Sequence, residues 1–298
     1  MELTNYNDNK ESKEVVDFRN LIEAASIDYI DFGCSKGGSL EFAKKRFSGH
    51  QGLGIDIDQS KVAKTRAAGY EAIRYNINDI PDEKLVRFVV MSHFLEHVPS
   101  HLDVKAFIRK ACTISKEFVY IQQPYFDADT YLFEKGFKLF WSDWSGHPNR
   151  MTALEMWLLL RDLKEEGLPI TFSLHAHKKI TDSADPRIHP LTSNINQLDY
   201  NAEVHPPKDP SILFEDNVFH EIVCLITLPG CDHAGMLKKL RYHRTIIDSS
   251  GNLAKSIENA HKENVVVDER TKRTALKEKN ILERIKNALG ISRKGARK

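Results

Sequence analysis

Short apolar runs alternate with helical patterns in the first half of the chain, and this rhythm constrains the fold more than any other feature. Five runs are predicted to be strands, at residues 27–32, 52–57, 71–77, 87–92 and 117–123. Helical patterns separate them, at residues 38–48, 59–68, weakly 81–86, and 101–114. This order predicts a parallel, doubly wound sheet, which binds ligands beyond the carboxyl ends of its strands.

The second half predicts two more strands, at 170–178 and 219–229, and a helix over 152–167 that begins with a capping box of Thr152 and Glu155. We therefore expect an α/β, Rossmann-like, mostly parallel seven-stranded sheet with a C-terminal helical extension. The expected organisation is a polar, helical lead (1–24), a ligand-binding domain (25–233) with substrate-covering insertions (123–152 and 181–217), and a basic helical tail (234–298).

Charge is distributed unevenly along the 298 residues. Residues 234–298 hold 17 Lys and Arg against 7 Asp and Glu, whereas the whole chain has a net charge of only +1. The four cysteines form no CxxC pair, which argues against a zinc site or a disulfide framework. The polar start and the lack of a bilayer-length apolar run predict a cytoplasmic setting.

A glycine-rich stretch, DFGCSKGGSL at 31–40, joins the first predicted strand to the first predicted helix. It does not match GxxxxGK[ST], the phosphate-binding P-loop, and its glycine spacing does not match GxGxxG. It reads instead as acid-x-Gly-x-small-x-Gly, with Asp31, Gly33, Ser35 and Gly37 in those places. Such a loop lets backbone amides approach a ligand closely.

Three later segments end strands at the same predicted edge of the sheet. Asp56 ends the second strand, where a carboxylate suits the hydroxyls of a ribose. The turn NINDIP at 76–81 follows the third strand, and SHFLEHV at 92–98 follows the fourth.

Together these four segments resemble class I S-adenosylmethionine (SAM)-dependent methyltransferases, in the subgroup that carries S-x-x-LEHV. The resemblance spans about residues 25–230 and implies SAM as cofactor, with the glycine loop around its methionine part. The cofactor-binding residues that it implies are Asp31, Gly33, Cys34, Ser35, Gly37, Asp56, Ile57, Asn76, Ile77, Asp79 and Ser92. The chain departs from the family at Ser35, often Gly, and at Asn76, often Asp.

Two histidines are predicted to be catalytic. His147 lies in GHPNRMT, which resembles the His-x-Asn-x-x-Thr turn of the subgroup, and is the first choice as general base. His93, after the fourth strand, is the second, whereas Glu96 and His97 are expected to shape the turn. Asp and His residues in 181–217 could hold a cation, but we predict no metal site.

The acceptor is predicted from residue chemistry alone. Aromatic residues crowd 123–152 and suit sugar rings, and histidines suit hydroxyl activation, so we expect O-methylation of a carbohydrate or glycan, as in surface polysaccharide synthesis. The alternatives are a small-molecule or macromolecular N/O-methyltransferase, or a non-catalytic interaction module. The basic tail suggests peripheral membrane contact or self-association. Nucleic acid is not expected, because residues 244–298 contain no aromatic residues for base stacking.

Overall fold

Eight strands form the central sheet in a computed structural model that describes residues 17–250. Most of the predicted lead, and the predicted tail beyond residue 250, lie outside the described residues. The eight strands are β1 (Tyr29–Phe32), β2 (Gly52–Asp56), β3 (Glu71–Arg74), β4 (Val86–Ser92), β5 (Ser115–Pro124), β7 (Thr171–Asp182), β9 (Leu213–Thr227) and β10 (Arg244–Asp248). A separate pair consists of β6 (Phe137–Leu139) and β8 (Ile188–Pro190).

The helices connect the strands over the faces of this sheet. They are α1 (Phe18–Ala24), α2 (Gly38–Phe47), α3 (Gln59–Ala67), α4 (His101–Ile114), α5 (Asp129–Glu134), α6 (Ala153–Glu165) and α7 (His233–Lys239). The capping box predicted for the helix after residue 152 is confirmed, because Thr152 and Glu155 exchange both hydrogen bonds at the start of α6. The weakly predicted helix at 81–86 is wrong, since only Asp82 and Glu83 form bends there and Val86 already belongs to β4.

The strand order is β10-β7-β9-β5-β4-β1-β2-β3. Strands β1 to β5 of this sheet pair in parallel, whereas β9 runs antiparallel to β5. Strand β1 lies between β2 and β4, so the strand order reverses at β1. The crevice beyond the carboxyl ends of these strands is the expected ligand position. The α/β, Rossmann-like fold predicted from the sequence is confirmed.

The predicted count of seven strands is corrected to eight. Strand β10 lies where the sequence indicated only a helical tail, and it pairs antiparallel with the edge strand β7 through a register shift between Thr245 and Ile247. None of its residues is fully buried, and its sequence, RTIID, is too polar to show the apolar run that marks an inner strand. The sheet therefore includes residues beyond the predicted boundary at 233.

Aromatic side chains fill the core on one face of the sheet. The ring of Phe88 stacks between those of Tyr29 and Phe118, with centroids 4.9 and 4.6 Å away. Phe47, at the end of α2, packs edge-on against the same group. This contact fixes α2, and with it the glycine loop at its start, against β1 and β4.

The two predicted insertions contact each other. Strand β6, from residues 123–152, pairs with β8, from residues 181–217, in a small antiparallel sheet. Among residues 17–250, no helix is both long and apolar enough to cross a membrane.

Candidate active site

The glycine loop turns sharply between β1 and α2. Gly33 and Gly37 have φ angles of 75° and 85°, which favour glycine, and Ser35 has a φ of 48°. A Cβ on Gly33 would lie 2.4 Å from Cδ2 of Phe94, so only glycine fits there. The amides of Gly33 and Cys34 both donate to the carbonyl of Ile55, which ties the loop to β2.

Two buried carboxylates, Asp31 and Asp56, flank this loop. Ser39 donates a hydrogen bond to Oδ2 of Asp31, whereas Oδ1 is buried with no partner among the described residues. Burial raises the pKa of Asp31 to about 7, although the bond from Ser39 opposes this rise. The amides of Ser35 and Asp58 donate to Asp56, at 3.3 and 3.0 Å, and hold its side chain at the end of β2.

These features fit the methionine and ribose parts of SAM. The buried oxygen of Asp31 can accept a hydrogen bond from an ammonium group. Asp56 stands at the tip of the next strand, where a ribose carboxylate is expected.

Other predicted cofactor residues differ in what they offer. Cys34 is buried with Sγ 3.5 Å from Oγ1 of Thr65, and burial raises its pKa to about 12, so it can offer only backbone atoms. The side chain of Ile57 is 73% exposed, directly after Asp56. It offers an apolar surface beside the predicted ribose position.

The turn after β3 supplies the predicted adenine contacts. Asn76 begins a short 3₁₀ helix (Ile77–Asp79) and accepts a hydrogen bond from the amide of Asn78 at 3.0 Å. Ile77 is buried, whereas Asn76 and Asp79 are exposed. The side-chain amide of Asn76 can still donate, and Asp79 can accept from an amino group.

A network of imidazole and carboxylate groups follows β4. Ser92 ends the strand, and His93 follows it in the left-handed conformation, with a φ of 50°. Nδ1 of His93 lies 3.3 Å from Oε1 of Glu96, and Nε2 lies 3.4 Å from Oε1 of Glu221. Burial would lower the pKa of His93, but the two carboxylates outweigh it and raise the pKa to about 9.

Glu221 was not predicted from the sequence, although it is the centre of this network. It lies on β9, opposite Pro124 of β5, with Lys178 and His220 within 3.0 and 3.2 Å. Burial favours its neutral form, but hydrogen bonds from His220 and His93 hold the pKa of Glu221 well below its ordinary value. An acid inside the apolar run FHEIVCLITL was the available signal.

His147, the first choice of general base from the sequence, lies in a separate segment and is buried. Its Nδ1 lies 3.3 Å from the carbonyl oxygen of Trp141, and its ring centroid lies 5.0 Å from that of His97. Burial lowers the pKa of His147, so its imidazole is neutral at pH 7.

Some aromatic residues of 123–152 belong to the hydrophobic core, and others lie beside the candidate site. Tyr125, Phe126 and Phe137 are buried in the core. Trp141 is also buried, but its ring lies 4.1 Å from that of His220, beside the network. Phe140 and Trp144 are partly exposed next to it.

A depression of about 530 Å³ lies elsewhere, lined by Thr171, Thr227 and His233. Thr227 pairs with Phe118 near the start of β5, so this depression lies at the amino-terminal end of that strand, away from the predicted site at the carboxyl ends. It contains none of the predicted site residues.

Comparisons with known proteins identify the family of the chain. A family model described as a methyltransferase domain matches residues 7–170. None of the curated protein sequences matches the chain.

Solved structures with similar folds have low identity to the chain. A SAM-dependent methyltransferase from Archaeoglobus fulgidus is 15% identical, with a TM-score of 0.44, and the match covers 70% of this chain and 94% of the other. One from Methanosarcina mazei is 16% identical, with a TM-score of 0.41 and coverage of 68% and 92%. The magnesium protoporphyrin IX methyltransferase of Synechocystis, with bound S-adenosylhomocysteine, is 10% identical, with a TM-score of 0.40 and coverage of 71% and 80%.

The chain belongs to the methyltransferase-domain family, and its fold is that of a class I methyltransferase. It is an enzyme that uses SAM as its methyl donor, as the resemblance implied. The non-catalytic alternative is therefore set aside.

Proposed function

We propose that this methyltransferase transfers the methyl group to a hydroxyl of a sugar or glycan. The observation that carries the proposal is the network in which His93 bridges Glu96 and Glu221 directly after β4. The network can accept the proton of a hydroxyl group, and it lies near the carboxyl ends of the strands that carry the predicted cofactor residues.

The network suits an acceptor that must lose a proton. SAM, when bound, supplies a methyl group carried on a sulfonium. An alcohol oxygen that gains a methyl group becomes a protonated ether, which is a strong acid, so even a carboxylate of low pKa can take its proton. His93 exposes 38% of its side chain, and at neutral pH its protonated ring donates to Glu221 and orients this carboxylate, which takes the proton of the ether. A neutral amine can accept a methyl group without such a relay.

Of the two imidazoles predicted to be catalytic, we assign to His93 the role beside the acceptor, where it orients Glu221. Its side chain is open to an acceptor, whereas His147 is buried behind contacts with Trp141 and His97. His147 as the general base stays a prediction that the variants below also test.

The aromatic rings beside the network support a carbohydrate. Phe140 and Trp144 are partly exposed, and both lie in the group that includes Trp141 and His220. Flat apolar rings next to polar groups match a sugar, which has an apolar C–H face and hydroxyl edges.

The test is a screen by mass spectrometry with SAM that carries a deuterated methyl group. The panel contains nucleotide sugars, oligosaccharides, simple amines and carboxylic acids. We expect labelled methyl ether on a sugar, and transfer lowered roughly 100-fold or more in His93→Gln and Glu221→Gln. Glu117→Gln, at the far end of β5, is the matched control and should keep full activity.

Labelling of only amines or acids would refute the hydroxyl assignment. Activity near wild type in His93→Gln, with a large loss in His147→Gln, would return the base to His147. Circular dichroism melting of each variant separates a lost proton path from a lost fold.

A further inference from the structure

Three side chains of the kinds that bind transition metals converge beside the proposed acceptor position. One ligand atom each of Glu96, His97 and His147 lies within 4.8 Å of the others. They come from two segments, the 3₁₀ turn after β4 (Leu95–His97) and the loop before α6.

Both imidazoles are oriented by backbone carbonyls. Nδ1 of His97 lies 2.7 Å from the carbonyl oxygen of Gly146, and Nδ1 of His147 lies 3.3 Å from that of Trp141. A carbonyl oxygen only accepts hydrogen bonds, so each Nδ1 must carry the proton. With Nδ1 as the donor, the nitrogen of each ring that can bind a cation is Nε2. Metal-binding histidines are held in this way, with the second nitrogen donating to a carbonyl or carboxylate.

Glu96 provides a second, independent observation. The residue is 2% exposed, and its Oε2 is buried with no hydrogen-bond partner among residues 17–250. Its other oxygen, Oε1, faces Nδ1 of His93. A buried carboxylate oxygen without a partner is costly, and a bound cation would satisfy it.

The two segments are also locked together. The amide of Asn149 donates to the carbonyl of Glu96, and its side-chain Nδ2 donates to that of Leu95, at 3.2 and 3.1 Å. His101 contacts Oδ1 of the same residue at 3.0 Å. Asn149 therefore fixes the distance between the segment with Glu96 and His97 and the segment with His147.

We propose that Glu96, His97 and His147 bind one divalent first-row transition-metal cation. Two imidazoles and one carboxylate suit Zn²⁺, Fe²⁺ or Co²⁺ better than Mg²⁺ or Ca²⁺, which prefer oxygen ligands. With bonds of about 2.1 Å, tetrahedral ligand atoms lie about 3.4 Å apart, so the ligand atoms must approach one another by no more than about 1.4 Å when the cation binds. The sequence alone predicts no metal site, and the proposal replaces that expectation.

The site leaves coordination positions open for an acceptor oxygen. A cation bound to Nε2 of His147 occupies the lone pair that a general base needs. We therefore assign His147 to metal binding and His93 to the network that takes the proton. This inference does not depend on a sugar acceptor, because metal binding is measured without any acceptor.

The experiment is a titration of the full chain, first stripped with a chelator, with Co²⁺ as the probe. Isothermal titration gives the stoichiometry, and the visible absorption of Co²⁺ reports imidazole ligation. We expect one Co²⁺ per chain, and affinity lowered roughly 100-fold or more in Glu96→Gln and His147→Gln. His189→Gln is the matched control, because His189 is also buried, with its ring centroid 4.3 Å from that of His205.

Retained binding in His189→Gln with loss in both site variants supports the proposal. No Co²⁺ binding, equal binding in all variants, or loss only in His189→Gln overturns it. Glu96→Gln preserves shape, so melting curves and S-adenosylhomocysteine affinity verify that the variant is folded. If the screen above finds an amine acceptor while Co²⁺ still binds at this site, the hydroxyl assignment fails and the metal site stands.

Discussion

Asp31 is expected to oppose stability in the free enzyme, and Asp31→Asn tests this directly. Burial raises its pKa from 3.8 to about 7, so the folded state binds a proton that the unfolded state has released. Stability therefore falls as the pH rises from about 4 to about 7, and the full penalty applies above 7, at roughly 4 kcal/mol.

Asparagine removes this penalty at pH 8, but the amide N–H that replaces the partnerless Oδ1 takes back part of the gain. We expect a net gain of about 2 kcal/mol, or a melting temperature about 4–8 °C higher in a chain of this size. At pH 4.5 the gain should vanish, because Asp31 is already protonated in the folded protein.

Cofactor binding should change in the opposite direction. The variant loses a charged acceptor for the ammonium group, so S-adenosylhomocysteine should bind roughly 10- to 150-fold more weakly at pH 8. Wild-type affinity should itself tighten as the pH rises through about 7, as Asp31 ionises.

Differential scanning calorimetry and isothermal titration at pH 4.5 and 8 measure both effects. Asp58→Asn is the matched control, because Asn caps α3 as well as Asp does and Asp58 is exposed. A destabilised Asp31→Asn at pH 8, or one that binds with wild-type affinity, would refute the reasoning about the buried carboxylate.

Three further predictions concern the loop and the tail. Ser35→Gly should stabilise the protein by about 0.5–1 kcal/mol in urea unfolding, because it relieves a φ of 48°, and an unchanged or lower stability would contradict this. Gly33→Ala should cost about 2 kcal/mol or more in the same assay, since its Cβ would meet Phe94 and its φ is 75°; a neutral result would show that the loop can move. We also propose that the basic residues after 250 contact anionic membranes or mediate self-association. The full chain should then sediment with phosphatidylserine liposomes, or form larger species in light scattering, more than a chain ending at Ser250, and equal behaviour in both assays would exclude these roles.

The sequence by itself determined the fold class and the ends of the strands at which the cofactor is predicted to bind. Parallel strands have a strong apolar signal, and the residues predicted to bind SAM lie at the ends of strands β1 to β4, so their order along the chain predicts their position in space. Asp31, Gly33 and Asp56 could be placed in this way, because each is tied to the end of its own strand.

Only the tertiary structure decided the acceptor side. Glu221 lies on β9, 128 residues after His93, and no local pattern links the two. The contact arises because β9 inserts antiparallel beside β5 and brings its polar residues to the carboxyl ends of β4 and β5. Likewise, His147 meets Glu96 only because Asn149 bonds the loop before α6 to the turn after β4. Strand ends can be predicted from local periodicity, whereas contacts between distant segments depend on packing that the whole chain determines.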